Sequence, residues 1–508
     1  MEDYKNKSQI KKNILFNILL FGMNAVIGII IPPFLIKHLG VEVYGVIPIA
    51  TSVTSFMLLF TISINGALSR FFSIDLYVSE KKVSQTFNTA FFTMVVVVIV
   101  LLPVSMIFSF NVEHVLNIPA HVVKESHLLF FLVFMSFFFN TFSSVFNSVA
   151  YVKNRIDLRN ISVIIEKLVQ LILLILLFSF NFIQIQVYGI AVFISTLLAC
   201  IYSYVVFKRL VPFIKITPED FSCASFKEML TLGVWLIVNQ IGVLMFLQTE
   251  VLIINYIKGP ALSGVYAALI QWSLLIRAIT GVLSGVTGPL ILNLYALKDR
   301  NALNELTKFS IKLIGIFTTC IVAVLIYFSS DILYLWLGAD FVQYKYVFMW
   351  IVFHLGFNLS SSPIANLNIA FNKVCLPGIV TLLTGVSNII LGIVFLKYTD
   401  LGLMGVALSG CFFLTLKNFV FTPVYAAKIM KINYFSYYKP IMPTILITVF
   451  ILFLSYVWPS SRLGMENGYV SLIGSAVLFF LILTVAVYYA FFNRSERSLL
   501  LSLIIKRK

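Results

Sequence analysis

Four basic residues lie inside long apolar runs of this 508-residue chain: Lys167, Arg277, Lys312 and Lys417. A charge in such surroundings needs a partner or a polar cavity. Arg277 shares a helical face with Ser273, Gly281, Ser284 and Gly288, spaced by three and four. A guanidinium on a small, polar face can hold a phosphate through two parallel hydrogen bonds. The alternative is an internal ion pair with Glu250 of the preceding run. Lys417 is a second anion-binding candidate, although its flexible stem could instead reach an interface. Arg70, at the end of the second apolar run, either meets a ligand at a cavity mouth or anchors the helix.

Glu250 is expected to share a face with Asn239. It either carries a coupling proton or Na⁺, or balances Arg277. His354 titrates near neutrality in water, which suits a proton carrier; a hydrogen-bonded structural histidine is the favoured reading. Glu166 and Lys167 are adjacent, so at least one is expected to face inward. Lys312 is expected to anchor its helix at a membrane edge. His114, His121 and His127 lack a metal-ligand spacing and read as surface residues.

Amides and hydroxyls form further stripes. One run carries Asn13, Asn17, Asn24 and Gly28; another carries Ser136, Asn140, Ser143, Asn147 and Asn154. A third carries His354, Asn358, Ser361, Ala365, Asn368 and Asn372. Each stripe is equally compatible with helix–helix packing and with the wall of a hydrated cavity.

The elements that must position these residues follow from composition. The chain is 60% hydrophobic and 11% charged, with a mean hydropathy of +1.01. Soluble domains carry roughly 25% charged residues, so lipid is the solvent for much of this surface. Runs of about 20 apolar residues predict spans near 13–36, 44–72, 86–110, 127–150, 158–180, 185–207 and 229–257. Seven more are predicted near 262–296, 309–329, 344–371, 376–396, 401–427, 440–458 and 469–492. The fold class is thus an all-α polytopic membrane protein of about fourteen helices.

The net charge of +16 points away from nucleic acid because of where it sits. With a cytoplasmic N-terminus, 26 of the 36 Lys and Arg fall on the inner side. Six fall outside: Lys37, Lys124, Lys258, Lys345, Lys397 and Arg462. That asymmetry predicts both termini in the cytoplasm. The basic N-terminus runs into apolar sequence without a small-residue cleavage site, as in an uncleaved first span. Five scattered cysteines, without a C-x-x-C pair, read as buried small apolar residues.

An internal repeat is visible. Gly40-x4-Gly45 recurs as Gly259-x4-Gly264, Ala150–Lys153 as Ala370–Lys373, and Tyr188–Ala191 as Met404–Ala407. This predicts an N-lobe at 1–210, a C-lobe at 211–430, and two final helices with a basic tail at 431–508. Lobes of this kind often bind a substrate between them. There is no P-loop, H-E-x-x-H motif, nucleophile elbow or large external loop. The chain therefore reads as a transporter and not an enzyme, with no metal site.

KHLGVEVYGVIPIA, the closing GALSR of the second span, and the segment from Glu250 through IKGPALSGVYAAL to Pro289 carry a family resemblance. They resemble Wzx-type polysaccharide flippases of the multidrug/oligosaccharidyl-lipid/polysaccharide (MOP) exporter superfamily, over nearly the whole chain. The resemblance implies a multi-pass protein of the bacterial cytoplasmic (inner) membrane, working by alternating access. The implied substrate is an undecaprenyl-diphosphate-linked oligosaccharide, flipped to the outer leaflet for O-antigen or capsule-type synthesis. No cofactor is implied beyond an H⁺ or Na⁺ gradient. Implied partners are the lipid-linked substrate, membrane lipid and, where the pathway has them, a polymerase and a chain-length regulator. By the resemblance, Glu250 falls on the family's acidic position and Arg277 and Lys417 on its cavity cations; Arg70 joins the candidate substrate-binding set from its own position at the end of the second run. The cavity-lining set would be Asn13, Asn17, Asn24, Asn140, Asn147, Asn239, Ser284, His354, Asn358 and Asn368. The alternative is an ion-coupled multidrug or metabolite exporter of the same superfamily. Span 1 lacks the carboxylate that many drug exporters carry there.

Overall fold

The computed structural model describes residues 2–76, 78–458, 460 and 468–498. The predicted outer basic residue Arg462 and the end of the basic tail lie outside the described residues. Among the described residues, thirteen helices are long and apolar enough to cross a bilayer. A pair bent by 44° supplies a fourteenth, at the predicted seventh span.

The first six spans are α1 (Glu2–Leu39), α2 (Val46–Asp75), α3 (Glu80–Phe110), α4 (Val123–Val152), α5 (Ile156–Ser179) and α6 (Gln186–Leu210). The bent pair is α7 (Cys223–Leu247) with α8 (Thr249–Lys258). Next come α9 (Pro260–Ala296) and α10 (Arg300–Tyr327). The predicted tenth span is broken into α11 (Lys345–Phe353), α12 (Leu355–Ser360) and α13 (Ser362–Ala370). Then come α14 (Cys375–Tyr398), α15 (Gly402–Thr415) and, after a π-helical turn at Leu416–Phe421, α16 (Thr422–Met430). The last two spans are α17 (Tyr438–Val457) and α18 (Tyr469–Phe491).

Local sequence explains the punctuation. Ser79, Ser222 and Asp299 cap α3, α7 and α10 by accepting from the backbone N–H three residues on. Asn154 and Asn372 end α4 and α13 in the left-handed region, at φ 56° and 53°. The same hydrogen bonds surround both. Arg155 N donates to Ala150 O and Lys373 N donates to Asn368 O, each at 2.8 Å. Gly40 and Gly259 likewise share positive φ, 80° and 91°. The glycine motif thus recurs as repeated backbone, whereas the two helix ends match Ala150 to Asn368, two residues away from the Ala150–Ala370 pairing read from sequence.

Packing divides the chain into two compact units. The first comprises residues 1–268 and 381–397; the second comprises 269–380 and 398–508. The repeat boundaries at 210 and 430 concern duplicated sequence, and the packing units cut the chain elsewhere. In the first unit α4 packs on α6, α5 on α6 and α1, and α2 on α4 and α7. Its core contains Leu68, Phe72, Phe87, Met94, Phe146 and Phe207. Phe87 stacks on Phe207 at 4.4 Å. In the second unit α10 packs on α17 and α12, and α11 packs on α15. Its core includes Ile291, Ile311, Ile364, Leu367 and Ile441. Apolar side chains such as Ile99, Ile107 and Val286 point outward, as lipid-facing residues do.

Contacts add detail to two expectations and change two others. Lys167 donates to Glu166 at 3.2 Å, because long side chains can bend together although i and i+1 positions diverge. Lys312 is paired with Glu496 at 2.7 Å and lies 5.0 Å from the Phe492 ring centroid, so it ties α10 to the segment after α18. Cys320 and Cys411 are buried and Cys200 half-buried, but Cys223 and Cys375 are exposed at the first positions of their helices. His127 is also more than surface. Its Nε2 meets Glu113 at 2.8 Å, and this hydrogen bond holds the Glu113 carboxyl below the usual carboxylate range.

Candidate functional site

The second unit gathers a polar cluster from four chain segments. α9 supplies Ser273, Arg277, Thr280 and Ser284 at steps of four, three and four. Arg277 Nε donates to Ser273 Oγ at 3.3 Å. One turn on, the Thr280 hydroxyl meets Thr318 of α10 at 3.2 Å. Ser284 is buried, and its carbonyl accepts from Asn366 Nδ2 at 3.1 Å.

His354 and Asn358 come from the breaks and short helices of the tenth span, and both are buried. The Asn358 Nδ2 lies 3.0 Å from His354 Nδ1 and donates to Thr415 Oγ1 at 3.1 Å. His354 is thus a buried, hydrogen-bonded histidine. Asn358 Oδ1 is buried with no hydrogen-bond partner, as is Asn368 Oδ1.

Lys417 lies in the π-helical turn. Its carbonyl accepts from the Thr422 hydroxyl at 2.8 Å. Such turns re-aim side chains and recur at functional sites. Arg277 is within electrostatic reach of both Lys417 and His354. No carboxylate among the described residues forms an ion pair with Lys417. Two of the three predicted cavity cations are thus brought into one neighbourhood, beside hydroxyls and amides. The third, Arg70, is exposed in the first unit, with its guanidinium 5.9 Å from the Phe71 ring centroid.

The first unit holds a different site. The break after α7 falls at Gln248, whose Oε1 accepts from Ser52 at 2.9 Å. Glu250 comes next, in the first turn of α8, and is buried. Its Oε2 accepts from the Tyr266 hydroxyl at 2.6 Å and its Oε1 from Asn388 Nδ2 at 3.0 Å. The helix N-terminus also favours a negative charge there. The bend removes the continuous face expected with Asn239, which is exposed.

The amides of α1 separate by role. Asn13 is buried against the α4–α5 turn, donating to Asn154 O at 3.0 Å and accepting from Asp157 N at 3.1 Å. Asn17 accepts from Asn160 at 2.7 Å, while Asn24 is exposed. Asn140 and Asn147 are half-buried, and Asn147 donates to Ser143 at 3.3 Å.

Sequence reasoning missed Tyr266, Asn388, Thr415 and Gln248. Asn388 and Thr415 are single polar residues in apolar runs, and only folding reveals their partners. The π turn had a faint signal in Pro423, and the broken tenth span had one in Pro363.

Comparison with known proteins agrees with this architecture. Residues 10–295 match the polysaccharide biosynthesis protein family. The uncharacterised membrane protein EpsK of Bacillus subtilis strain 168 is 27% identical over 439 residues, covering 86% of this chain and 87% of EpsK. The fold resembles the lipid II flippase MurJ in an inward closed conformation. Its TM-score is 0.70 at 16% identity, covering 94% of this chain and 99% of that one. It also resembles an inward-facing multidrug resistance MATE transporter of the MOP superfamily. There the TM-score is 0.63 at 15% identity, with 81% and 95% covered. This multi-pass membrane chain has the MOP transporter fold and belongs to the polysaccharide biosynthesis protein family.

Proposed function

We propose that the protein flips an undecaprenyl-diphosphate-linked oligosaccharide repeat unit from the cytoplasmic to the outer leaflet, by alternating access of lobes 1–210 and 211–430. Residues 431–508 form two accessory spans and a tail, and both termini are cytoplasmic. The observation that carries the reading is the convergence of Arg277 and Lys417 beside Ser273, Thr415 and Asn358 in one unit. Two cations match a diphosphate, and Arg can grip it bidentately. The unpartnered Asn358 Oδ1 and Asn368 Oδ1 can accept from sugar hydroxyls. The polyprenyl tail stays in hydrocarbon throughout, so only the head group needs a polar route. Glu250, held by Tyr266 and Asn388, is the group that links transport to an H⁺ or Na⁺ gradient. A polymerase and a chain-length regulator would act on the product.

Depleting the protein and assaying lipid-linked oligosaccharide by leaflet tests this. Accumulation in the cytoplasmic leaflet with loss of surface polysaccharide supports the flippase. Unchanged lipid intermediates with new drug sensitivity would move the case to an exporter. Arg277→Ala should abolish surface polysaccharide while leaving folded protein, and Arg277→Lys should retain part of it. Full export by folded Arg277→Ala would remove the role assigned to the guanidinium.

A further inference from the structure

A cavity of 520 Å³ in the second unit shares no residue with the Arg277 cluster. It lies where α10 ends, α11 begins and α17 ends, with Tyr327, Lys345 and Tyr456 on its wall. Its volume falls in the range of about 300–1,000 Å³ common to small-molecule sites. Three span ends converge there, so it opens at the boundary between hydrocarbon and water. Tyr327, Tyr346, Trp350 and Tyr456 supply the amphipathic rings typical of that depth.

The wall is two-natured. Lys345 and the hydroxyls of Ser329, Ser330 and Ser460 form a polar side. Met349, Phe353 and Leu452 form an apolar side. Lys345 joins the 3-10 turn Ala339–Tyr344 to α11, and its backbone N–H is taken by Val342 O, so its side chain is the group left to meet a ligand. The Lys345 ammonium lies 4.8 Å from the Tyr346 ring centroid, and no carboxylate among the described residues pairs with it. The nearby acid, Asp331, accepts from Ser460 and lines the neighbouring smaller cavity instead. A cation on the polar side of an amphipathic cavity, with no carboxylate opposite, is explained by an anion that it can hold.

We propose that this cavity is a binding site for an anionic phospholipid, separate from the transported substrate. Lys345 and the hydroxyls of Ser329 and Ser330 hold the phosphate, and Met349, Phe353 and Leu452 line the start of an acyl chain. The lipid would brace the meeting point of α10, α11 and α17. The site is independent of the flippase reading, since it uses none of the residues assigned to transport.

The test uses the purified full-length protein in detergent. It is mixed with phosphatidylglycerol or phosphatidylcholine of identical acyl chains, and retained lipid is counted by native mass spectrometry alongside thermal unfolding. Wild type should retain phosphatidylglycerol preferentially and melt higher with it. Lys345→Gln should weaken that retention roughly fivefold, the effect of one basic residue at an anionic lipid surface. Lys345→Arg should restore it, and Lys397→Gln, at another span end, should leave it unchanged. Equal retention of the two lipids by wild type would overturn the proposal, even if Lys345→Gln failed to fold. So would an unaffected Lys345→Gln protein, an equal loss in Lys397→Gln, or the same stabilisation from inorganic phosphate alone.

Discussion

Gly45 and Gly264, the second glycines of the two repeated motifs, meet backbone to backbone. A Cβ built on Gly45 would lie 3.1 Å from Gly264 N and closer still to Pro260 O. A Cβ on Gly264 would lie 2.5 Å from Val41 O and 3.0 Å from Gly45 Cα. Backbone cannot swing aside as a side chain can, so either alanine must push two chain segments apart. Gly45→Ala and Gly264→Ala should each lower stability by about 1–3 kcal/mol, the usual range for overpacking. Gly22, within α1, has nothing within 4 Å of an added Cβ. Gly22→Ala should be neutral or stabilising by about 0.5–1 kcal/mol. Thermal unfolding of the three purified variants separates these outcomes; equal melting would show that the glycine contact carries no constraint.

A reciprocal amide pair lies in the same unit. Asn117 N donates to Asn255 Oδ1 at 3.0 Å, and Asn255 Nδ2 returns to Asn117 O at 3.0 Å. Asn117 Nδ2 also donates to Asn255 O at 2.8 Å. Asn255 is fully buried, so truncation strands backbone polar groups. Asn255→Ala should lose about 1–3 kcal/mol. In a double-mutant cycle with Asn117→Ala the two losses should be non-additive by at least about 0.5 kcal/mol. Hydrogen exchange at residues 111–119 should rise in both variants. Additive losses would mean that the two side chains act separately.

What could be read in advance was set by range in sequence. The spans were legible because twenty apolar residues are a local signal, and all fourteen predicted positions correspond to helices or the bent pair. The glycine motifs announced a repeat, and both first glycines have positive φ. Arg277 and Lys417 were visible as misplaced charges, but their proximity depends on how α9 and the π turn pack. Asn13 looked like a cavity residue because its spacing fits a polar face, yet it is taken up by a turn 141 residues away. The bend at Gln248 has no proline or glycine to announce it, so the face expected for Asn239 and Glu250 crosses a break that the local sequence does not signal.

The Glu250 site yields a prediction that separates coupling from folding. Tyr266→Phe removes a 2.6 Å hydrogen bond to a buried carboxylate, at a cost of about 1.5–3 kcal/mol for a bond to a charged group. Glu250→Gln keeps the shape but removes the charge, and its amide can accept from only one of the two donors. The Gln variant should fold and bind lipid-linked substrate, yet its transport should no longer respond to collapse of the H⁺ or Na⁺ gradient. Transport in proteoliposomes with imposed gradients is the measurement. Wild-type gradient dependence in Glu250→Gln would assign coupling elsewhere.

Lys417 tests whether the π-helical turn serves the site or only the packing. The turn holds one residue more than an α-helix would, and the Thr422 hydroxyl bond to the Lys417 carbonyl spans its five-residue step. Removing Asn418 should let α15 and α16 join as a regular helix, rotating α15 relative to α16. Lys417 would then turn away from Arg277, although both residues remain in the chain. Lys417→Met removes the charge and leaves the turn intact. If the turn exists to aim the ammonium, both variants should lose export while remaining folded, and Lys417→Arg should recover part of it. The substitution should also weaken binding of a diphosphate-linked lipid by about tenfold, corresponding to about 1.4 kcal/mol. Export that survives Lys417→Met but fails on deletion would make the turn a packing feature. Arg277 would then be left as the phosphate ligand.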